Sequence, residues 1–101
     1  MDRVLTAMGI ARARPGQEEE LGRRMAALVA PTRAEPGCIS YELFRSSEDP
    51  ALWMLFEQWR SQADLEAHIG SPHLQAFLAD KHEVLEGSPQ SYRWVPQSPT
   101  K

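Results

Sequence analysis

The sequence has a single cysteine, Cys38, so no disulfide can form within the chain. It has no run of about 18 apolar residues, the length a membrane-spanning helix needs. The opening stretch Met1-Asp2-Arg3-Val4-Leu5 lacks the long apolar region of a signal peptide. Basic charge is scarce as well. Eleven Lys and Arg stand against 14 Asp and Glu, for a net charge of −3. That balance offers no positive footprint to nucleic acid and no polybasic segment to a membrane surface. Glycine-rich phosphate loops and dinucleotide-binding fingerprints are missing too, and so are fixed-period repeats. These absences predict a cytoplasmic protein with neither nucleic acid nor membrane as partner.

What is present fits one domain of 101 residues, with a core over about 3–95 and a flexible tail over 96–101. A chain of this size buries only about two-thirds of its unfolded surface. Val4 to Ala11 reads as a first strand with no charge on either face. Glu18, Glu19 and Glu20 open a helix where its dipole favours negative charge. Leu21, Met25, Leu28, Val29 and Thr32 then form one apolar stripe, and Pro31 is expected to kink or end it. Glu35-Pro36-Gly37 is an exit turn. Cys38 to Arg45 is a second strand, in which Ile39, Tyr41 and Leu43 alternate with Ser40, Glu42 and Phe44. Ser46 to Pro50 is a hairpin loop, and Leu52 to Trp59 returns as the third strand. Ser61 and Ser71 read as helix N-caps, with Pro72 at a first helical position and Gly70 closing the helix between them. Leu74, Phe77, Leu78 and Leu85 supply a last helical stripe before a fourth strand, Ser91 to Val95.

The order β-α-β-β-α-α-β predicts an α+β fold of the ferredoxin-like, split βαβ kind. It has a four-stranded antiparallel sheet with helices on one face. Leu52-Trp53-Met54-Leu55-Phe56 is apolar at every position, so the sheet face away from the helices is apolar too. A patch of that size predicts a homodimer formed through the sheet face.

Polar chemistry gathers where the third strand meets the helices. Glu57 interrupts an apolar strand face, where a carboxylate must find a donor or shift its pKa. His68 offers an imidazole suited to proton transfer near neutral pH, or serves only to bond the strand through Glu57. Trp59 can stack on a flat substrate or fill the core. Tyr41 can donate its hydroxyl to a ligand, and His73 stands early in the last helix. Cys38 is expected to be a small buried hydrophobe, with no activating base identified. His68 and His73 are five residues apart across a Gly-Ser break, not the four a metal pair prefers on one helix, so no metal is expected.

Glu35-Pro36-Gly37-Cys38, Tyr41-Glu42-Leu43, Phe56-Glu57-Gln58-Trp59, Leu65-Glu66-Ala67-His68 and Ser71-Pro72-His73-Leu74 together resemble the antibiotic biosynthesis monooxygenase family, in the dimeric α+β barrel group. The resemblance runs from Val4 to Trp94. It implies an enzyme, a monooxygenase without cofactor that acts on a quinol or polycyclic phenol with dioxygen. In that reading His68 and Glu57 are catalytic, and Trp59, Tyr41 and His73 contact a small aromatic substrate. Two alternatives stay open: an isomerase of a small molecule using the same His/Glu pocket, and a non-catalytic dimeric binding module. Haem degradation is disfavoured, since the first strand lacks the asparagine that haem-degrading relatives carry there.

Overall fold

The computed structural model describes residues 4–99. The readings made on Met1, Asp2, Arg3, Thr100 and Lys101 fall outside that span. Strands β1 (Leu5–Arg12), β2 (Cys38–Arg45), β3 (Leu52–Trp59) and β4 (Gln90–Trp94) form one antiparallel sheet in the order β2-β3-β1-β4. Helices α1 (Glu18–Ala26) and α2 (Val29–Arg33) connect β1 to β2. Helices α3 (Gln62–Ile69) and α4 (Pro72–Ala79) follow β3, and a 3₁₀ turn at Lys81–Glu83 leads toward β4. The architecture is the ferredoxin-like arrangement expected from the order of elements.

Alternation along the strands sorts the side chains into two faces. Ala7 and Ala11 of β1, Tyr41 of β2, and Leu55 and Trp59 of β3 face the helices. They pack with Leu21, Met25, Leu28 and Leu65 into one core. Gly22 is part of this packing: a Cβ there would overlap the Trp53 indole, so only glycine lets α1 lie this close to β3. The opposite face carries Met8, Ile10, Phe44, Met54, Phe56, Tyr92 and Trp94, aligned across the four strands by their register. Phe44 and Trp94 are about half exposed there.

Several local expectations need correction. The first helix breaks at Ala27–Leu28, four residues before Pro31 rather than at it. A proline at 31 cannot donate to the carbonyl of residue 27, so the ladder fails at that carbonyl. Pro31 then sits in the first turn of α2, where its missing N–H costs nothing. Ile39 does not share the helix-facing side with Tyr41 and Leu43. A bulge between Cys38 and Ser40 leaves it unpaired and 53% exposed. The last helical stripe stops short of Leu85, which instead bridges Ala13 beyond the end of α4. Gly70 ends α3 at φ −86, a conformation that does not require glycine. Ser61 does cap α3, accepting from the Asp64 N–H at 3.2 Å. Ser71 makes no such cap and turns its hydroxyl to His73. Arg45 donates its Nε–H to the Pro50 carbonyl of the hairpin at 2.8 Å and pairs with Glu19 at 2.7 Å, while Asp49 pairs with Arg12.

Candidate active site

Three features of the chain place His68. Ser61 starts α3 immediately after β3, so the helix folds back over the strand it follows. His68 lies seven residues on, in the last turn, on the same side as Leu65. Both are buried, and the His68 ring is 4.8 Å from that of Trp59 and 5.4 Å from that of Tyr41. An imidazole with only 2% of its side chain exposed needs partners for its nitrogens.

The close partner is Glu35, from the turn between α2 and β2. Its Oε2 lies 2.8 Å from His68 Nδ1. The second nitrogen, Nε2, is 3.9 Å from Glu57 Oε1, too far for a hydrogen bond. Glu57 instead accepts the indole N–H of Trp59 at 2.9 Å. The expected order of partners is thus reversed: Glu35 anchors His68, and Glu57 stands beside it. A carboxylate only accepts hydrogen bonds, so a neutral His68 donates Nδ1–H to Glu35. Its Nε2 lone pair is then left on the Glu57 side.

Glu35 Oε2 also holds His73, whose Nε2 is 2.8 Å away. The hydroxyls of Thr32 and Ser71 lie 3.1 and 3.3 Å from the same nitrogen. Three potential ligand atoms, one each from Glu35, His68 and His73, therefore lie within 4.8 Å of one another. Spacing along the chain could not reveal this cluster, because its third member precedes His68 by 33 residues.

A cleft of about 380 Å³ opens between the sheet and the helices, within the range of small-molecule pockets. Its walls are apolar, with Leu55, Leu65, Leu74 and Phe77 among them. Tyr41, Glu57 and His68 supply polar groups, and Ser91 and Arg93 of β4 complete the lining. The glycine at position 9 and the alanines at 7 and 11 keep the β1 floor low. Trp59 and His73 are not at this cleft. Trp59 is fully buried behind Glu57, and His73 faces a separate depression beside Arg23 and Arg24. The roles the sequence suggested for these two as substrate contacts do not fit their positions.

Electrostatics follow from burial. Loss of solvent pushes the Glu57 carboxyl up, and the nearby Glu35 adds to this. The Trp59 N–H and His68 work in the opposite direction. Burial likewise pushes the Tyr41 phenol well above its ordinary value. Thr32 offsets this slightly, yet the Tyr41 hydroxyl is buried with no hydrogen-bond partner in good geometry among the described residues. The phenol is therefore held neutral, with a buried O–H that lacks a partner. Cys38, half-buried, is also pushed up by burial and by Glu35 and Glu57, which argues against a reactive thiolate.

Known proteins share this arrangement of chain. The family model described as antibiotic biosynthesis monooxygenase matches residues 5–80. The Mycobacterium tuberculosis protein Rv0793 is 42% identical over 72 residues, covering 71% of this chain and 70% of its own. Its solved structure superposes with a TM-score of 0.89 over 97% of this chain and 99% of that one, at 31% identity. The Escherichia coli protein named probable quinol monooxygenase YgiN is 35% identical over 95 residues, covering 82% of this chain and 90% of its own. The crystal structure of PA3566 from Pseudomonas aeruginosa superposes with a TM-score of 0.91 at 35% identity, over 97% of this chain and 98% of that one. The chain belongs to the antibiotic biosynthesis monooxygenase family.

Proposed function

We propose that the protein is a monooxygenase that oxidises a quinol or polycyclic phenol with dioxygen and needs no resident cofactor. The observation that carries this reading is the pairing of a buried, anchored imidazole with an apolar cleft. His68 has one nitrogen fixed by Glu35 and the other free beside Glu57. The name of the E. coli relative supports the substrate class.

His68 Nε2 takes the proton of a substrate hydroxyl, and Glu35 and Glu57 stabilise the imidazolium that results. The phenolate passes one electron to dioxygen, and the two radicals combine at a ring carbon as a hydroperoxide. Loss of water from that carbon leaves a carbonyl. A quinol with one free ring position and one dioxygen thus gives a hydroxyquinone and one water, with no external reductant. Tyr41 donates its unpartnered hydroxyl to the substrate oxygen. Trp59 and His73 act as positioning residues, the first by holding Glu57 and the second by sharing Glu35.

The same reading has two chains meet through the open sheet face of Met54, Phe56, Phe44 and Trp94, whose exposure a monomer in water would not favour. Sedimentation at micromolar concentration should give a dimer, and a monomer would refute that part. For the chemistry, oxygen uptake is measured with a panel of quinols. His68→Ala should lower turnover by about 10²–10⁴-fold, the usual loss for a general base. Full activity in folded His68→Ala would refute the role of His68. Proton exchange in a carbonyl substrate without oxygen uptake would favour the isomerase instead.

A further inference from the structure

We propose that Glu35, His68 and His73 form a site for one divalent transition-metal cation of the zinc class, and that its binding switches His68 from proton acceptor to proton donor toward the cleft. The binding stands on the cluster itself. The switch rests on the reading of His68 as the base.

The donor set is two imidazoles and one carboxylate, which suits zinc and its neighbours rather than magnesium or calcium. Both imidazole nitrogens already point at one carboxylate oxygen, each 2.8 Å away. Ligands about 2.0–2.2 Å from a tetrahedral zinc stand about 3.3–3.6 Å from one another. Ligand atoms that all lie within 4.8 Å of one another need shifts of an ångström or so, within the reach of side-chain torsions. Three separate elements supply the ligands: the turn after α2, the end of α3 and the start of α4. The Thr32 and Ser71 hydroxyls border His73 Nε2, where a fourth ligand such as water would find partners.

Charge points the same way. Among the described residues, Glu35 and Glu57 make no ion pair with Lys or Arg, and the only basic side chains within 4.0 Å of them are the two histidines. A cation would compensate two carboxylates removed from bulk water. Entry needs no unfolding, since the side chains of Glu35 and His73 are 15% and 23% exposed.

Glu57 gives the site its second layer. A metal-bound imidazole usually hands its other N–H to a carboxylate. If Nδ1 of His68 binds the cation, its ring proton must move to Nε2. That atom stands 3.9 Å from Glu57 Oε1, a gap a small ring rotation closes. The lone pair that would accept a substrate proton is thereby lost. The cation and the proton of the substrate compete for the same ring.

The test uses the full chain stripped with chelator and titrated with cobalt(II), read by visible d–d absorption, and with zinc(II), read by calorimetry. One cation per chain with Kd below about 10 μM is expected. His73→Ala, at a partly exposed position that should fold, and Glu35→Gln should each weaken binding at least tenfold, while His82→Ala should not. Glu57→Gln should weaken it by about 10–100-fold, as second-layer partners do. Imidazole ¹⁵N spectra should show the His68 proton on Nδ1 in the stripped protein and on Nε2 with zinc. Binding weaker than about 100 μM in the folded wild type, or binding unchanged in His73→Ala and Glu35→Gln, overturns the site. An unchanged His68 tautomer at saturating zinc overturns the switch. None of these readouts needs turnover, so a protein inactive toward every quinol would refute the oxygenase reading without touching the cation site.

Discussion

Replacing Glu35 by alanine tests the whole arrangement, because one oxygen atom of Glu35 holds two histidines. The substitution removes the acceptor of the His68 Nδ1–H, in a side chain that is only 2% exposed. A hydrogen bond to a charged group contributes about 1.5–3 kcal/mol net, and a buried donor left alone loses all of that. The bond to His73 is partly exposed, so its loss contributes less. Together these give about 2–4 kcal/mol. For a chain of this length, 1 kcal/mol moves the melting temperature by about 4–8 °C, so Glu35→Ala should melt about 8–32 °C below wild type. Glu35→Gln keeps a carbonyl oxygen able to accept from both rings and should lose less than half as much. Glu57→Gln should behave differently. Burial disfavours the charged Glu57 carboxyl, and the glutamine carbonyl can still accept the Trp59 N–H, so stability at neutral pH should hold or rise. Thermal melts by circular dichroism on the three variants make the comparison. A Glu35→Ala protein melting within about 3 °C of wild type would refute the claim that Glu35 anchors the site.

Three further outcomes follow from other residues. Gly37→Ala should destabilise by about 2–4 kcal/mol in urea unfolding, because φ there is +84 and the new Cβ would overlap Asp64; a loss under about 0.5 kcal/mol would contradict the strain. Asp64 bonds Arg60 and Ser61, which lower its carboxyl from the usual value of 3.8. Its contribution is therefore complete above that value and lost as pH falls through the lowered one, so Asp64→Asn should flatten the acid limb of stability measured from pH 5 downward, and an unchanged limb would refute the pairing. Cys38, pushed up by burial, should react with iodoacetamide more slowly than a free thiol at pH 8 and still be gaining rate above pH 9; a rate equal to the free thiol's would contradict its burial.

Local pattern was enough to set the order of the strands and the helices between them. The continuous apolar run ending in Glu57-Gln58-Trp59 gave the bounds of β3, the alternation after Gly37 gave those of β2, and Pro72 marked the start of α4. These features depend on neighbours in the chain, through propensity, capping and the period of burial. The same pattern identified His68, Glu57 and Tyr41, which meet at one cleft, since polar groups stand out in apolar segments. Only the tertiary structure decided who pairs with whom. Glu35 sits in a turn whose sequence, Glu-Pro-Gly, reads as nothing more than a break, and it becomes the anchor because α3 folds back over the start of β2. Trp59 withdraws from the cleft because its N–H satisfies Glu57 on the same strand face. Ile39 is thrown outward by a one-residue bulge that alternation cannot foresee. A hydrogen bond across 33 residues is set by the crossing of elements, and no local preference of glutamate or histidine encodes that crossing.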